Sequence, residues 1–536
     1  MAFQAQAGGN GFEAAYETIR SEDLARHIEV LASDAFEGRE PGTPGEAKTL
    51  DYLVAAFRRI GTAPGVGNEY LQPVPLVESR RNGKAYFAIL NEKMKTTTFK
   101  FETDFVSLAG RPAQAIELDR APMTFVGFGI TADEFGWDDY RGTAVEGGAV
   151  VFLRGEPAAD STLFRGRALT VHGLSTTKFE TAARRGARAA IVVHTDASAG
   201  YPWSVMTSGG LSSRQHFLED TGVPALELVL HVSEPAARRL FKAAGLDFET
   251  LVANANRSGF AAVPLLMRAS AQAKFAIRRI TSHNVVAKVQ GREAPGECII
   301  YTGHWDHVGR NDTLKGDRIF NGAVDNATGT SGLLELAEAY AALPQPPRRT
   351  IYFVATTAEE KGLLGAEYLA RNPLCPLAQT VAVLNMDALF PFGAFGAMTV
   401  TALGSSEIED VLAESSAKVG RVLQDDGAPE AGAYYRSDHY PFAKRGVPAL
   451  FAVGNPRPEE SPDGSPMAQR FADYLANGYH KVGDEYDAAT WDLRGVEQDV
   501  RIYFETGWRL AEDVRFPNWR FGNEFRALRD RMRAAP

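Results

Sequence analysis

His304 and Asp306 place an imidazole and a carboxylate two residues apart, in the stretch CIIYTGHWDHVG that closes a short β-branched and aromatic run. A further acid, Asp325, follows in NGAVDN, and the run 350–356 ends in Thr357-Ala-Glu-Glu, which sets Glu359 and Glu360 side by side. The run 381–385 ends in Met386-Asp387, and much later Tyr479-His480 precedes Asp484-Glu485. Two neighbouring acids on a short element repel unless a cation or a shared proton lies between them. Imidazole nitrogen and carboxylate oxygen with no thiolate suit zinc, with cobalt or manganese as possible substitutes. Hydrolytic sites of two ions hold them ~3.5–4 Å apart, with a bridging ligand and a water between them. The chemistry this set points to is metal-assisted hydrolysis.

The elements that must position these groups read as an α/β domain from about residue 276 onward. Strand-like runs at 284–289, 298–302, 350–356, 381–385 and 448–453 alternate with amphipathic runs at 332–343, 365–370 and 406–419. Open α/β sheets carry their chemistry outside the carboxyl ends of the strands, and the groups above stand at those ends. Residues 115–275 have a different texture, short strands with turns and one helix at 178–185, and read as a mostly-β module. Before it, helical spacing at 23–32 and 47–60 flanks the glycine- and proline-punctuated loop 36–45, and alternating patterns follow. The expected division is 1–114 as an N-terminal part of the α/β domain, 115–275 as an insert, and 276–536 as the main α/β domain. The last helical run is 493–514, and the Arg-rich end from Arg520 reads as solvated.

Composition narrows the alternatives. The chain has 536 residues, 45% hydrophobic and 23% charged, the profile of a globular protein too long for one core. A net charge of −10 argues against a nucleic-acid binder and against a polybasic membrane-surface protein. No apolar run is long enough to span a bilayer. The two cysteines, Cys298 and Cys375, form no CxxC pattern. Cys298 reads as a small buried apolar residue. The start MAFQAQAGGNGFE has neither a basic nor an apolar signal region. Its Ala-Gln-Ala piece fits the remnant of a cleavage region, and a cytoplasmic start fits the same letters. His307 reads as a loop residue or a support behind the ligands, and His27, His172, His194, His216, His231 and His283 as surface or packing histidines.

The pieces GHWDHVG, GAVDNATG, TTAEEKGLLGAEYLA, LNMDALF, YYRSDHYPFAKRGVPAL and GYHKVGDEYD, in that order, resemble the co-catalytic zinc aminopeptidase family. That family also holds glutamate carboxypeptidases, glutaminyl cyclases and the non-catalytic transferrin receptors. The resemblance is closest to bacterial members with an inserted protease-associated domain. It implies a zinc-exopeptidase (phosphorylase/hydrolase-like) mixed sheet flanked by helices. It implies two zinc ions bridged by Asp325, one also held by His304 and Asp387, the other by Glu360 and His480. Glu359 would be the general base that activates the bridging water and later protonates the leaving amine. Asp306 would orient the ligand histidine, and the Tyr479 hydroxyl would stabilise the oxyanion. Asp438 and His439, with Ser437, would support the pocket. Arg436 would hold a substrate carboxylate or make a loop salt bridge.

The expected activity is release of N-terminal residues from peptide substrates by a secreted or periplasmic enzyme, with oligomeric state open. A dipeptidase, a carboxypeptidase or another amide hydrolase on the same site is the nearest rival, with Arg436 as its candidate carboxylate anchor. A glutaminyl cyclase fits less well, because ligands for both ions are present. A non-catalytic binding protein would lack ligands, and no expected position lacks one.

Overall fold

The structure, a computed structural model, describes residues 9–157, 163–199, 202–207, 214–219 and 221–534. The Ala-Gln-Ala piece at 5–7 lies outside the described residues. Two compact units form: residues 1–74, 281–427 and 433–536 in one, and 75–280 with 428–432 in the other.

The first unit is built on strands β1 (Val263–Val289, of which residues from 281 belong here), β2 (Ala294–His304), β3 (Arg349–Thr356), β4 (Thr380–Asn385), β5 (Ala397–Val400), β6 (Val422–Asp425) and β7 (Ala449–Asn455). β3, β2, β4 and β7 run parallel in that order. β1 adds antiparallel beside β3, and β5 antiparallel beside β7, with β6 parallel to β5. The sheet is therefore mixed, as expected. The parallel strands are buried along nearly their whole length, which is why their sequences are unbroken apolar runs instead of alternating ones.

Helices α1 (Ser21–Leu31), α2 (Pro44–Ile60), α3 (Gly329–Ala342), α4 (Leu364–Arg371), α5 (Ile408–Lys418) and α6 (Arg494–Glu512) are among those of this unit. α3 is buried on nearly every side. Its first residue is Gly329, where a Cβ would lie 2.5 Å from the carbonyl oxygen of Met386, so only glycine lets the helix start against the end of β4. Register sets the site. His304 pairs with Thr356, and Thr302 with Asn385, so the carboxyl ends of β2, β3 and β4 share one edge. After β2 the chain crosses to β3 on one side and then to β4 on the other. That reversal opens the crevice in which α/β sheets bind ligands.

The second unit has its own apolar core, including Phe125, Val151, Ile191, Leu230, Leu240 and Phe241. Ala149–Leu153, Ala189–His194 and Leu228–Ser233 run parallel, and Phe105–Ala109 is antiparallel to the last. Two expectations are corrected here. The unit begins at Pro75 instead of 115, because Tyr86–Asn91 pairs with residues 267–272 of β1 inside it. It also carries more helix than the one run expected. Besides Ser175–Arg184 it carries the helices Glu234–Ala243 and Phe248–Ala255. The first of these buries Ala236, Ala237, Leu240 and Phe241 along one stripe behind a proline at its start, a short amphipathic signal.

Two further readings change. Cys298 is buried but not a lone apolar residue, because it is disulfide-bonded to Cys375, 77 residues away. The C-terminal helix Arg526–Ala534 is anchored by Arg529, which is buried and donates to the carbonyls of Leu377 and Thr380 at 3.0 and 2.9 Å. That end is not simply solvated.

Candidate metal centre

His304 ends β2, and its Nδ1 lies 3.0 Å from the main-chain carbonyl oxygen of Asp306. With Nδ1 as the donor, Nε2 keeps its lone pair for the site. Around Nε2 stand Asp387 Oδ1 at 3.1 Å and Asp325 Oδ1 at 3.3 Å. On the other side, His480 Nε2 lies 3.0 Å from Asp325 Oδ2 and 3.2 Å from Glu360 Oε2. Asp325 thus offers one oxygen to each side. Glu359 stands close, with Oε2 3.9 Å from His304 Nε2.

Two donor triads have all their ligand atoms within 4.8 Å of one another: His304, Asp325, Asp387, and His307, Asp325, Glu360. Glu359 belongs to neither. Both nitrogens of His307 and Oε1 of Glu360 are buried without a hydrogen-bond partner. Buried polar atoms are rarely left so, and a cation among them would satisfy them. The nitrogen and carboxylate donors fit zinc. His307, expected in a supporting position, is here beside Glu360, with Nδ1 2.6 Å from Oε1.

The ligands are held by a set of supporting groups, of which Arg39, Thr302 and Asn385 were not singled out from the sequence. Asp484 accepts the N–H groups of Val324 at 2.9 Å and Asp325 at 3.0 Å. Arg39, fully buried, donates to the carbonyls of Leu31, Trp305, Asn321 and Gly322 at 2.6–2.8 Å. Its guanidinium therefore ties the loop after His304 to the loop before Asp325. Thr302 Oγ1 donates to Asn385, whose amide donates to Ser437 Oγ, and Ser437 donates to Asp387 Oδ2 at 2.6 Å. Asp306 acts differently from the expected arrangement. Its carbonyl meets His304, while its carboxylate accepts the Glu359 N–H at 3.0 Å.

Four other expected residues lie outside both triads. Asp438 is buried and accepts from Thr356 Oγ1. His439 is packed between the rings of Tyr434 and Phe451 and is outside both triads. Tyr479 lies at the rim, its ring stacked on His480 at 4.0 Å between centroids. Arg436 is exposed, and among the described residues no carboxylate lies within ion-pair distance of it. The Tyr474 hydroxyl, another group the sequence reading missed, is buried without a hydrogen-bond partner. Residues Ala358, Ala388 and His480 have left-handed φ values of 54°, 51° and 54°. Backbone strain of this kind collects at functional sites, and here it occurs in the loops that present Glu359 and Glu360, Asp387, and His480.

Electrostatics follow from packing many acids together. Burial pushes Glu359 well above the usual carboxylate range, with Asp387, Glu360 and Asp438 adding and His304 opposing. Burial raises Asp306 and Asp438 to about 7 each. Burial also works against an ionised Asp325, yet hydrogen bonds from His304 and His480 hold it well below its ordinary value. For His304, burial opposes the charge, but Asp387 and Glu359 prevail and raise it well above the ordinary imidazole. Without cations, protons would have to neutralise this pocket.

Comparison with known proteins bears on the same residues. Residues 284–504 match the model of peptidase family M28. This stretch is similar to M28 peptidases. It contains every residue of the two triads, so the family resemblance read from the motifs holds there. A probable zinc metalloprotease of Pyrenophora tritici-repentis is 33% identical over 158 residues, covering 29% of this chain and 32% of that protein. Mouse aminopeptidase NAALADL1 is 31% identical over 144 residues, covering 26% of this chain and 17% of that protein. The matches thus span about a third or less of these relatives' length. An aminopeptidase from Aneurinibacillus sp. strain AM-1 superposes with a TM-score of 0.51 at 19% identity, covering 94% of this chain and 97% of its own. The fold, a mixed sheet flanked by helices, is shared with that protein.

Proposed function

We propose that this chain is a zinc-dependent exopeptidase that removes N-terminal residues from peptides, with Glu359 as the general base. The observation that carries this reading is Asp325, whose two oxygens face two separate groups of ligands, with Glu359 beside both and part of neither. Two ions would be held by His304, Asp387 and Asp325, and by His480, Glu360 and Asp325, with cobalt or manganese as possible substitutes. Bound zinc supplies a Lewis acid for the scissile carbonyl and lowers the pKa of water.

The chain's own groups do the rest. Glu359 accepts the proton of the attacking water and passes it to the leaving amine. Asp306 fixes the Glu359 backbone through its N–H, so the carboxylate is placed before substrate arrives. Ser437 holds the outer oxygen of Asp387, which leaves Oδ1 toward His304. Tyr479, at the open rim, would donate its hydroxyl to the oxyanion. The unit from 75 to 280 is read as a protease-associated insert. The Cys298–Cys375 disulfide supports a secreted or periplasmic location. Finding both thiols free in protein isolated from its native compartment would remove that support.

The exposed Arg436 favours one second reading, a carboxypeptidase or dipeptidase that grips a terminal carboxylate. One experiment separates the two. Aminoacyl-anilides and N-blocked peptides are assayed with the metal-stripped protein and again after zinc is restored. Hydrolysis that needs a free α-amine and returns with zinc is the expected result. Cleavage of blocked peptides bearing a free carboxylate would replace it with the carboxypeptidase reading.

A further inference from the structure

We propose that His307 is a direct metal ligand, so that the position built from Asp325, Glu360 and His480 takes two imidazoles while its neighbour takes one. This inference rests on the dinuclear zinc reading and adds a ligand to it. His307 is completely buried in the loop that leaves β2. Its Nδ1 is 2.6 Å from Glu360 Oε1, and it forms a donor triad with Asp325 and Glu360. Neither that nitrogen nor that oxygen meets hydrogen-bonding geometry with any partner. Two electron-rich atoms this close need a proton or a cation beside them, and the triad with Asp325 supplies a third donor for a cation. A ring buried only to pair with Glu360 would leave Nε2 unsatisfied, at about 1–3 kcal/mol.

The ring is also locked in place. A Cβ on Gly322, where φ is +57°, would lie 2.5 Å from His307 Cγ. The site loop therefore closes directly over the imidazole, and the ring cannot swing away from Glu360. His480 approaches the same carboxylate from outside, with its ring centroid 5.8 Å from that of His307. Glu360 thus gives one oxygen to each imidazole.

The consequence is an unequal pair of positions. His307, His480, Glu360 and Asp325 make a nitrogen-rich site that suits zinc. His304, Asp387 and Asp325 make a more oxygen-rich site that is more tolerant of manganese. Zinc should fill the first tightly and the second weakly, and the weak position should exchange.

The test uses the full chain stripped of metal and titrated with zinc against a chromophoric chelator. Wild type should show two steps. His307→Ala and His307→Gln should each weaken the tighter step by more than the ~10–100-fold expected from loss of an outer partner, and leave the weaker step unchanged. X-ray absorption of wild type at one equivalent of zinc should count two imidazoles, and this needs no variant to fold. One imidazole there, or a tighter step unaltered in both variants, overturns the assignment. A wild-type chain that binds no zinc would overturn the dinuclear reading itself, a result distinct from two steps with only one imidazole.

Discussion

Arg39 offers the sharpest test of how the ligand loops are held. Its guanidinium spends four hydrogen bonds on carbonyls, two of which, Asn321 and Gly322, precede Asp325, while Trp305 follows His304. Burial lowers its pKa to about 10, which still leaves it charged, and the acids Asp484, Asp325, Asp306 and Glu360 act in the opposite sense. Arg39→Ala removes the positive charge from beside those acids and strips four buried acceptors of their donor. Breaking a buried charged network of this type costs roughly 3–5 kcal/mol. Arg39→Lys keeps the charge but replaces a planar fork by a single ammonium that cannot span four carbonyls. About half of the loss is expected, on the order of 2 kcal/mol by the usual worth of charged hydrogen bonds. Both variants share the left-handed backbone of this position, φ 52°, so that contribution cancels. Urea unfolding of the zinc-loaded protein, followed by tryptophan fluorescence, provides the readout. The expected order of stability is wild type, Lys, Ala, with zinc affinity falling in the same order. An Ala variant within about 0.5 kcal/mol of wild type, the range of an ordinary surface substitution, would refute the clamp. Equal losses for Lys and Ala would show that the fork, and not the charge, carries the whole effect.

Three further outcomes follow from the same geometry. Asp484→Asn leaves one acceptor oxygen for two N–H groups, so it should cost about 2–3 kcal/mol and lower zinc affinity ~10–100-fold, measurable by the same unfolding and chelator titrations. Tyr479→Phe should lower kcat by about 100-fold with little change in KM if the hydroxyl meets the oxyanion; an unchanged kcat would leave the ring as a stacking partner of His480 only. Lys178, buried in the second unit and donating to the carbonyls of Leu153 and Gly155, has its pKa lowered by burial from 10.5 to about 7. Between those values the unfolded chain binds more protons, so stability should rise with pH from about 7 toward 10.5, by up to ~1.4 kcal/mol per pH step for one proton. Lys178→Met should flatten that slope, and an unchanged slope would exclude Lys178 as its source.

The sequence was most informative where chemistry and secondary structure coincide. The buried parallel strands are continuous apolar runs, and His304, Glu359, Glu360 and Asp387 follow the ends of three of them directly, so local pattern placed them at one sheet edge. What supports them comes from far away in the chain. Arg39 meets Trp305 across 266 residues, and Asp484 meets Val324 across 160. The loop FEGREPGTPG was legible as a turn, but its buried arginine was not, because the acceptors are backbone carbonyls with no sequence signature. His307 was discounted because a second histidine in one short loop has no periodicity to argue from. Its role depends on how Gly322 closes over it. The insert's true start at Pro75 was hidden because the extended run Leu71–Arg81 continues across the division without a break. Its helices Glu234–Ala243 and Phe248–Ala255 were hidden by their shortness.

The most direct test of the dinuclear peptidase is Glu359→Gln, measured for zinc content and for turnover of an aminoacyl-anilide in one preparation. Glu359 lies outside both donor triads, so the variant should retain two zinc ions per chain while its rate falls by ~10²–10⁴-fold, the contribution of a positioned general base. A variant that keeps its zinc and turns over at nearly the wild-type rate would contradict the account, because no proton carrier placed as Glu359 is would then be needed.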